Sequence, residues 1–261
     1  MSTIAGVDPR TGTPLASVAE STTDDEVARL AEEAADAAGE FADRGRDFRA
    51  DLLTRIADEV EQARAALVST AARETGFADA KLDGELTRAA FQFRFFGDVV
   101  RDGGYLEATI DPAGDTPTGP RPDLRRILVP LGPVAVFGAS NYPFAFSALG
   151  GDTASALAAG NPVIVKAHSS HPGTSQLSFD LMRRAVTAAG APDATVGIVF
   201  GTAKSAAEFP SDKVFSDFID RAAPPVDPVL PQVESVPDWQ KRSDEFHARM
   251  LAEARAEIAA I

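Results

Sequence analysis

The sequence contains no cysteine among its 261 residues. This absence excludes disulfides, thiolate zinc sites, iron–sulfur clusters and any cysteine nucleophile within this polypeptide. Positive charge is also scarce, because 39 Asp and Glu residues outnumber 25 Lys and Arg residues and leave a net charge of −14. Such a surface repels phosphate backbones and anionic lipid headgroups. We therefore expect neither nucleic acid nor a membrane as a partner.

No secretory signal is predicted, since the first residues contain no basic cluster followed by a long apolar run. The uncharged stretch 127–151 is interrupted by Pro130, Pro133, Pro143 and several glycines. Its pieces are therefore shorter than the roughly 20 continuous residues that a membrane-spanning helix requires. With 44% hydrophobic and 25% charged residues, the composition is that of a soluble globular protein. We expect a cytoplasmic location.

Helical periodicity dominates the N-terminal part of the chain. Thr23 and Glu26 have the spacing of a capping box, which predicts the start of a first helix. Apolar stripes predict a second helix running through Leu52 and Leu67, and a third over about residues 85–101. Turn residues then dominate 103–131, between apolar runs at 105–110 and 126–129. This pattern predicts a hairpin or an extended tongue.

Alternating apolar runs and helical patterns follow the tongue. Strands are predicted at 134–137, 163–165 and 196–200, and helices at about 144–159 and 174–189. This βαβαβ order predicts an α/β fold with a parallel sheet covered on both faces. Ligands of such sheets bind at the carboxyl ends of the strands, which are here residues 138–142 and 166–170.

The composition changes again near residue 204. Five prolines fall within 223–237, and Asp238 precedes a last apolar stripe. We predict a first domain over 1–204, and a tail over 205–261 made of a Pro-rich linker and a C-terminal helix.

Two residues at the predicted strand ends can carry chemistry. The Asn141 amide suits an oxyanion, and the Lys166 cation suits a phosphate or a ribose. From the residues alone, a nucleotide site and a purely structural role for both are equally supported. The P-loop and GxGxxG signatures are absent. His168 and His171 have only serines between them, which favours polar loop residues over zinc ligands, so no metal site is predicted. No serine has the context of a hydrolase nucleophile.

Two segments resemble a known family. The run Phe-Gly-Ala-Ser-Asn-Tyr-Pro-Phe-Ala-Phe-Ser at 137–147 and the run Val-Lys-Ala-His-Ser-Ser-His-Pro at 165–172 resemble the aldehyde dehydrogenase superfamily. The residues in these two runs are similar to those of the branch that acts on 2-oxoglutarate semialdehyde (2,5-dioxopentanoate). The resemblance extends upstream through Asp8 and the Glu74-Thr-Gly segment, and downstream to about Gly201. It implies part of a Rossmann-like doubly wound sheet and NAD(P)-dependent oxidation of an aldehyde to the carboxylate.

The resemblance also assigns site residues. Asn141 matches the family's oxyanion donor, and Lys166 matches the lysine that contacts the cofactor ribose or its 2′-phosphate. Ser169 occupies the position where NAD-preferring members often carry a glutamate, and this implies NADP as the cofactor, with NAD as the alternative. The remaining residues that the resemblance implies for cofactor binding are Phe137, Gly138, Ala139, Ser140 and His168.

The sequence departs from the family in its catalytic residues. Family catalysis uses a cysteine thiolate and a glutamate base, and the segments Phe-Thr-Gly-Ser, Glu-Leu-Gly-Gly and Glu-x-Phe-Gly-Pro are missing here. We therefore predict a truncated aldehyde dehydrogenase that is inactive alone, or active only with a second chain supplying the catalytic half. The alternative is a non-catalytic interaction partner of intact aldehyde dehydrogenase subunits. A third interpretation, an enzyme that uses this fold for a reaction unrelated to aldehyde oxidation, has no group of residues in the sequence to support it.

Overall fold

A computed structural model describes residues 2–201 of the chain. The predicted tail over 205–261, with its linker and helix, lies outside the described residues, so the division at residue 204 stays a prediction. The chain begins with an antiparallel hairpin of β1 (Thr3–Asp8) and β2 (Thr13–Glu20), which the sequence analysis did not predict. Within the described part, no helix is both long and apolar enough to cross a membrane.

Four helices follow the hairpin: α1 (Asp24–Asp43), α2 (Gly45–Gln62), α3 (Arg64–Thr75) and α4 (Asp79–Asp102). The capping box at the start of α1 is confirmed, because the Thr23 N–H donates to the Glu26 carboxylate at 2.8 Å and the Glu26 N–H donates to Thr23 Oγ1. These two bonds satisfy donors that the first turn of a helix leaves free.

Two predicted boundaries among these N-terminal helices are wrong. The second predicted helix is two helices, since α2 ends at Gln62 and α3 begins at Arg64. The Arg64 side chain pairs with Glu61 at 2.6 Å and with Asp83 of α4 at 2.7 Å, and these contacts stabilise the bend. The third predicted helix begins at Asp79 rather than near residue 85. Its apolar stripe is nevertheless buried as predicted, with Phe93 fully enclosed.

The tongue comprises two pairs of short antiparallel strands. They are β3 (Thr109–Asp111) with β6 (Leu124–Arg126), and β4 (Gly114–Thr116) with β5 (Gly119–Arg121). The apolar runs at 105–110 and 126–129 coincide only partly with these strands, because residues 104–106 form a 3₁₀ turn and residues 127–131 belong to no strand. A backbone hydrogen bond from the Leu128 N–H to the Leu106 oxygen, at 2.9 Å, joins residues 127–131 to the 3₁₀ turn.

A parallel sheet of β7 (Val134–Phe137), β8 (Val163–Lys166) and β9 (Val196–Val199) follows, and the predicted βαβαβ order is confirmed. The strands alternate with α5 (Gly151–Ala158) and α6 (Pro172–Ala189). Val163 and Val165 face the main core with α2, α4 and α6, while Ile164 faces α1. The central strand β8 is therefore covered on both faces, as in a Rossmann-like doubly wound fold, whereas β7 is only partly buried.

The predicted helix over 144–159 is wrong in its first half, because residues 143–150 form turns and α5 begins at Gly151. The N–H groups of Phe144 and Ala145 donate to a buried carboxylate of α4, Glu85. This tertiary contact holds the segment in a turn conformation despite its helix-forming alanines.

Candidate functional site

The loops that follow β7 and β8 lie side by side at the carboxyl edge of the sheet. The Gly138 N–H donates to the Lys166 oxygen at 3.1 Å, and the His171 ring donates from Nε2 to the Ala139 oxygen at 2.9 Å. The residues predicted from the strand ends, from Phe137 to Asn141 and from Lys166 to Ser169, are thus brought together in one region. This is the edge at which parallel sheets bind ligands.

Gly138 allows a close approach between this loop and the segment behind it. A Cβ at position 138 would lie 2.7 Å from Ser147 Oγ and 3.4 Å from the Lys166 oxygen. Ser147 Oγ is itself buried and has no hydrogen-bond partner among residues 2–201. A Cβ at position 138 would therefore require the Ser147 side chain to move, whereas the 3.4 Å separation from the Lys166 oxygen is an ordinary van der Waals contact.

The first loop presents both polar and apolar groups to solvent. Ser140 and Asn141 are exposed, and Phe137 is 54% exposed at the end of β7. The main-chain oxygen of Asn141 accepts a hydrogen bond from Lys81 Nζ at 3.2 Å. Among residues 2–201 the Asn141 side-chain amide makes no hydrogen bond, while its main-chain oxygen is held by Lys81.

The second loop presents one cation and two exposed serines, Ser169 and Ser170. Lys166 is half-buried, and burial lowers the pKa of its ammonium group below the ordinary 10.5. Ser169 is exposed three residues later. A half-buried cation pairs more strongly with an anion than an exposed one does, because less water screens the pair. A lysine beside a hydroxyl suits a phosphate group.

The two histidines play different structural roles. Their rings stack with 5.5 Å between the centroids. His168 Nδ1 accepts the Ser170 N–H at 3.1 Å, whereas His171 is fully buried and bridges the two loops. Across the described residues, no group of three or more His, Asp or Glu side chains is arranged to hold a metal ion.

We expect His168 to be neutral at pH 7. Burial lowers its pKa below 6.5, and the neighbouring His171 and Lys166 lower it further. Its contribution to the free energy of unfolding is present above pH 6.5 and is lost as the pH falls from 6.5 toward the lowered pKa. An NMR titration of the His168 ring should therefore give a midpoint below 6.5, and a midpoint at or above 6.5 would contradict this prediction. In Lys166→Ala the midpoint should rise yet stay below 6.5, since burial is the largest cause.

Sequence reasoning missed the buried groups that hold the two loops. Glu85 accepts the N–H groups of Phe144 and Ala145, and Glu74 accepts those of Gly173 and Thr174. A signal was present for Glu85, which shares a helix face with Leu82, Leu86 and Ala89. A carboxylate on an apolar face requires a hydrogen-bonding partner.

The sequence model described as "Aldehyde dehydrogenase family" matches residues 1–214. The chain belongs to the aldehyde dehydrogenase family. It is 47% identical over 201 residues to alpha-ketoglutaric semialdehyde dehydrogenase 2 of Azospirillum brasilense, a match that covers 76% of this chain and 38% of that protein. It is 41% identical over 179 residues to alpha-ketoglutaric semialdehyde dehydrogenase of Acinetobacter baylyi, covering 68% of this chain and 34% of that protein.

The fold is also that of aldehyde dehydrogenases. A benzaldehyde dehydrogenase structure from Corynebacterium glutamicum matches with a TM-score of 0.66 and 24% identity, over 78% of this chain and 41% of that one. The chain therefore spans less than half the length of the aldehyde dehydrogenases that it matches, and it contains only part of their fold. The resemblance identified from residues 137–147 and 165–172 is confirmed at the level of the family.

Proposed function

We propose that this 261-residue chain binds a nicotinamide dinucleotide, preferably NADP, and does not oxidise an aldehyde on its own. The observation that carries the proposal is the pairing of the two strand-end loops, which presents Lys166 and Asn141 at one edge of the sheet. The proposed family reaction is oxidation of 2-oxoglutarate semialdehyde, which is the substrate named for the relatives from Azospirillum and Acinetobacter.

The groups at this edge suit such a ligand. The backbone at Gly138 is free of a Cβ, and the exposed Phe137 ring offers an apolar surface. Lys166 and Ser169 supply a cation and a hydroxyl donor for a ribose 2′-phosphate, with no carboxylate at position 169 to repel it. His168 lies between them in the sequence, on the same loop. When bound, the nicotinamide of this cofactor accepts a hydride.

The absence of cysteine limits what these residues do. By resemblance, the Asn141 amide donates to the oxyanion that forms when a thiolate attacks an aldehyde, and this chain contains no thiol. A serine hydroxyl at its usual pKa is a much weaker nucleophile than a thiolate. Ser175 Oγ lies 3.4 Å from His171 Nδ1 at this edge, but both residues are fully buried, so this hydroxyl does not face a substrate. The chain therefore supplies the oxyanion donor and the cofactor contacts but not the nucleophile.

Calorimetric titration of the purified chain with NADP and NAD, alongside a turnover assay with 2-oxoglutarate semialdehyde, tests this function. We expect NADP to bind more tightly than NAD, with no NADPH formed. Turnover by the chain alone would refute the proposed lack of catalysis. If neither dinucleotide binds, the cofactor proposal is wrong.

A second function is favoured by one specific observation. Within residues 2–201 the β7 edge has no partner strand, and the neighbouring Leu128, Val129 and Leu131 are each more than half exposed. An open edge and apolar surface are typical of interaction sites. The alternative is thus a non-catalytic partner of intact aldehyde dehydrogenase subunits. Assembly with an intact homologue in the absence of dinucleotide binding would support it over the first proposal.

A further inference from the structure

We propose that Lys81 and Glu85 are positioning residues that hold the loop carrying Asn141 in its binding conformation. Both lie on α4, about 60 residues before the loop, at the i and i+4 spacing that places two side chains on one helix face. The role assigned to Asn141 rests on the proposed function. The contacts that hold its loop are independent of any ligand.

Glu85 is the buried member of the pair. Only 3% of its side chain is exposed, and its Oε1 accepts the N–H groups of Phe144 at 2.7 Å and Ala145 at 2.9 Å. An ionised carboxylate accepting two backbone N–H groups binds them more strongly than a neutral acceptor does. Glu85 thereby fixes the chain three and four residues after Asn141.

Lys81 compensates the buried charge and reaches the loop itself. Its Nζ lies 3.6 Å from Glu85 Oε2, which has no hydrogen-bond partner in the described part of the chain. The same Nζ donates to the main-chain oxygen of Asn141 at 3.2 Å. One side chain therefore connects the buried carboxylate to the backbone of the proposed oxyanion donor.

Aromatic rings restrict where the Lys81 ammonium group can lie. It sits 3.6 Å from the centroid of Phe77 and 5.0 Å from that of Tyr142. Tyr142 directly follows Asn141 and packs edge-on against Phe146, with 5.1 Å between the ring centroids. Cation–π attraction to two rings restricts the positions that a flexible lysine can take. The ammonium group thus contacts both the connection between α3 and α4, through Phe77, and the loop, through Tyr142.

The second loop is held in a parallel way by a different residue, and this supplies a matched comparison. Glu74 accepts the N–H groups of Gly173 and Thr174, each at 2.7 Å, at the start of α6. Glu74 and Glu85 are both buried carboxylates that hold two successive N–H groups beyond one strand end. A substitution at either one should loosen only its own loop.

Amide hydrogen exchange measured by NMR on the cofactor-free chain tests the proposal. In Glu85→Gln the exchange of the Phe144 and Ala145 amides should accelerate about fivefold or more, because a neutral acceptor replaces a charged one. The Gly173 and Thr174 amides should keep their rates. In Glu74→Gln the pattern should reverse. Equal acceleration of all four amides in Glu85→Gln would mean a general loss of stability and would overturn the proposal, as would unchanged rates at Phe144 and Ala145.

Lys81→Met provides a second test that does not disturb the core, since 40% of the Lys81 side chain is exposed. We expect the backbone and side-chain amide resonances of Asn141 to shift and broaden, and Lys81→Arg to restore them. Unchanged Asn141 resonances in Lys81→Met would overturn the proposal. Because no dinucleotide is present, this outcome is separate from a failure of cofactor binding in the calorimetric test.

Discussion

Glu74→Ala should lower the free energy of unfolding by about 3 kcal/mol or more, because the substitution leaves several buried donors without a partner. Glu74 is 5% exposed and accepts three hydrogen bonds, from the Gly173 N–H, the Thr174 N–H and Thr174 Oγ1, each at 2.7 Å. The two backbone donors belong to the first turn of α6, where a carboxylate also stabilises the helix dipole. Urea unfolding followed by circular dichroism measures the loss.

Glu33→Ala is the matched control for this prediction. Glu33 also makes a 2.7 Å contact, with Arg29, but about half of its side chain is exposed to solvent. An exposed ion pair of this kind contributes less than about 1 kcal/mol. If the two substitutions cost the same, burial and donor count do not determine the contribution of Glu74, and its proposed role in holding α6 fails.

The sheet was predictable because its signals are local. Each strand is a short apolar run, and the intervening helical patterns require parallel neighbours with crossover helices. The rule that ligands bind at strand ends then indicated Asn141 and Lys166, and the structure brings their loops together. What these residues bind stays a proposal, because fold and proximity do not identify a ligand.

The bend between α2 and α3 was not predictable from local signals. Residue 63 is an alanine, with no glycine or proline beside it to end a helix. The contact that favours the bend joins Arg64 to Asp83, 19 residues away. Apolar periodicity therefore continued across the boundary, and a single helix was predicted in place of two.

The start of α5 shows how a distant side chain overrides local propensity. The run from Phe144 to Leu149 contains two alanines and no residue that excludes a helix, yet it forms turns. Its first two N–H groups are taken by Glu85, which is 59 and 60 residues earlier in the chain. The same contact is the one proposed to hold the Asn141 loop, so the helix boundary and the role of Glu85 were missed for one physical reason.

Lys166→Ala should weaken NADP binding by roughly 10- to 100-fold and NAD binding by less than about threefold, because a charge-assisted bond to phosphate contributes about 1.5–3 kcal/mol. Lys166 is the last residue of β8 and is half-buried, and the exposed Ser169 follows three residues later in the chain. The two dinucleotides differ by the 2′-phosphate alone, so NAD serves as the internal reference. Calorimetric titration of the unsubstituted chain and of Lys166→Ala, each with NADP and with NAD, gives the four dissociation constants.

Two controls separate a direct contact from a general effect of charge. Arg29→Ala also removes one positive charge, from an exposed position on α1, and should change neither affinity by more than about twofold. In the unsubstituted chain, the preference for NADP should decline as the pH rises through the Lys166 pKa, which burial sets below 10.5, since only the protonated amine pairs with phosphate. Phosphate itself raises that pKa on binding, so the decline should begin at a higher pH than the pKa of Lys166 in the free chain.

Equal losses for NAD and NADP in Lys166→Ala would mean that the lysine contacts a group common to both, such as the ribose, and would remove the argument for NADP.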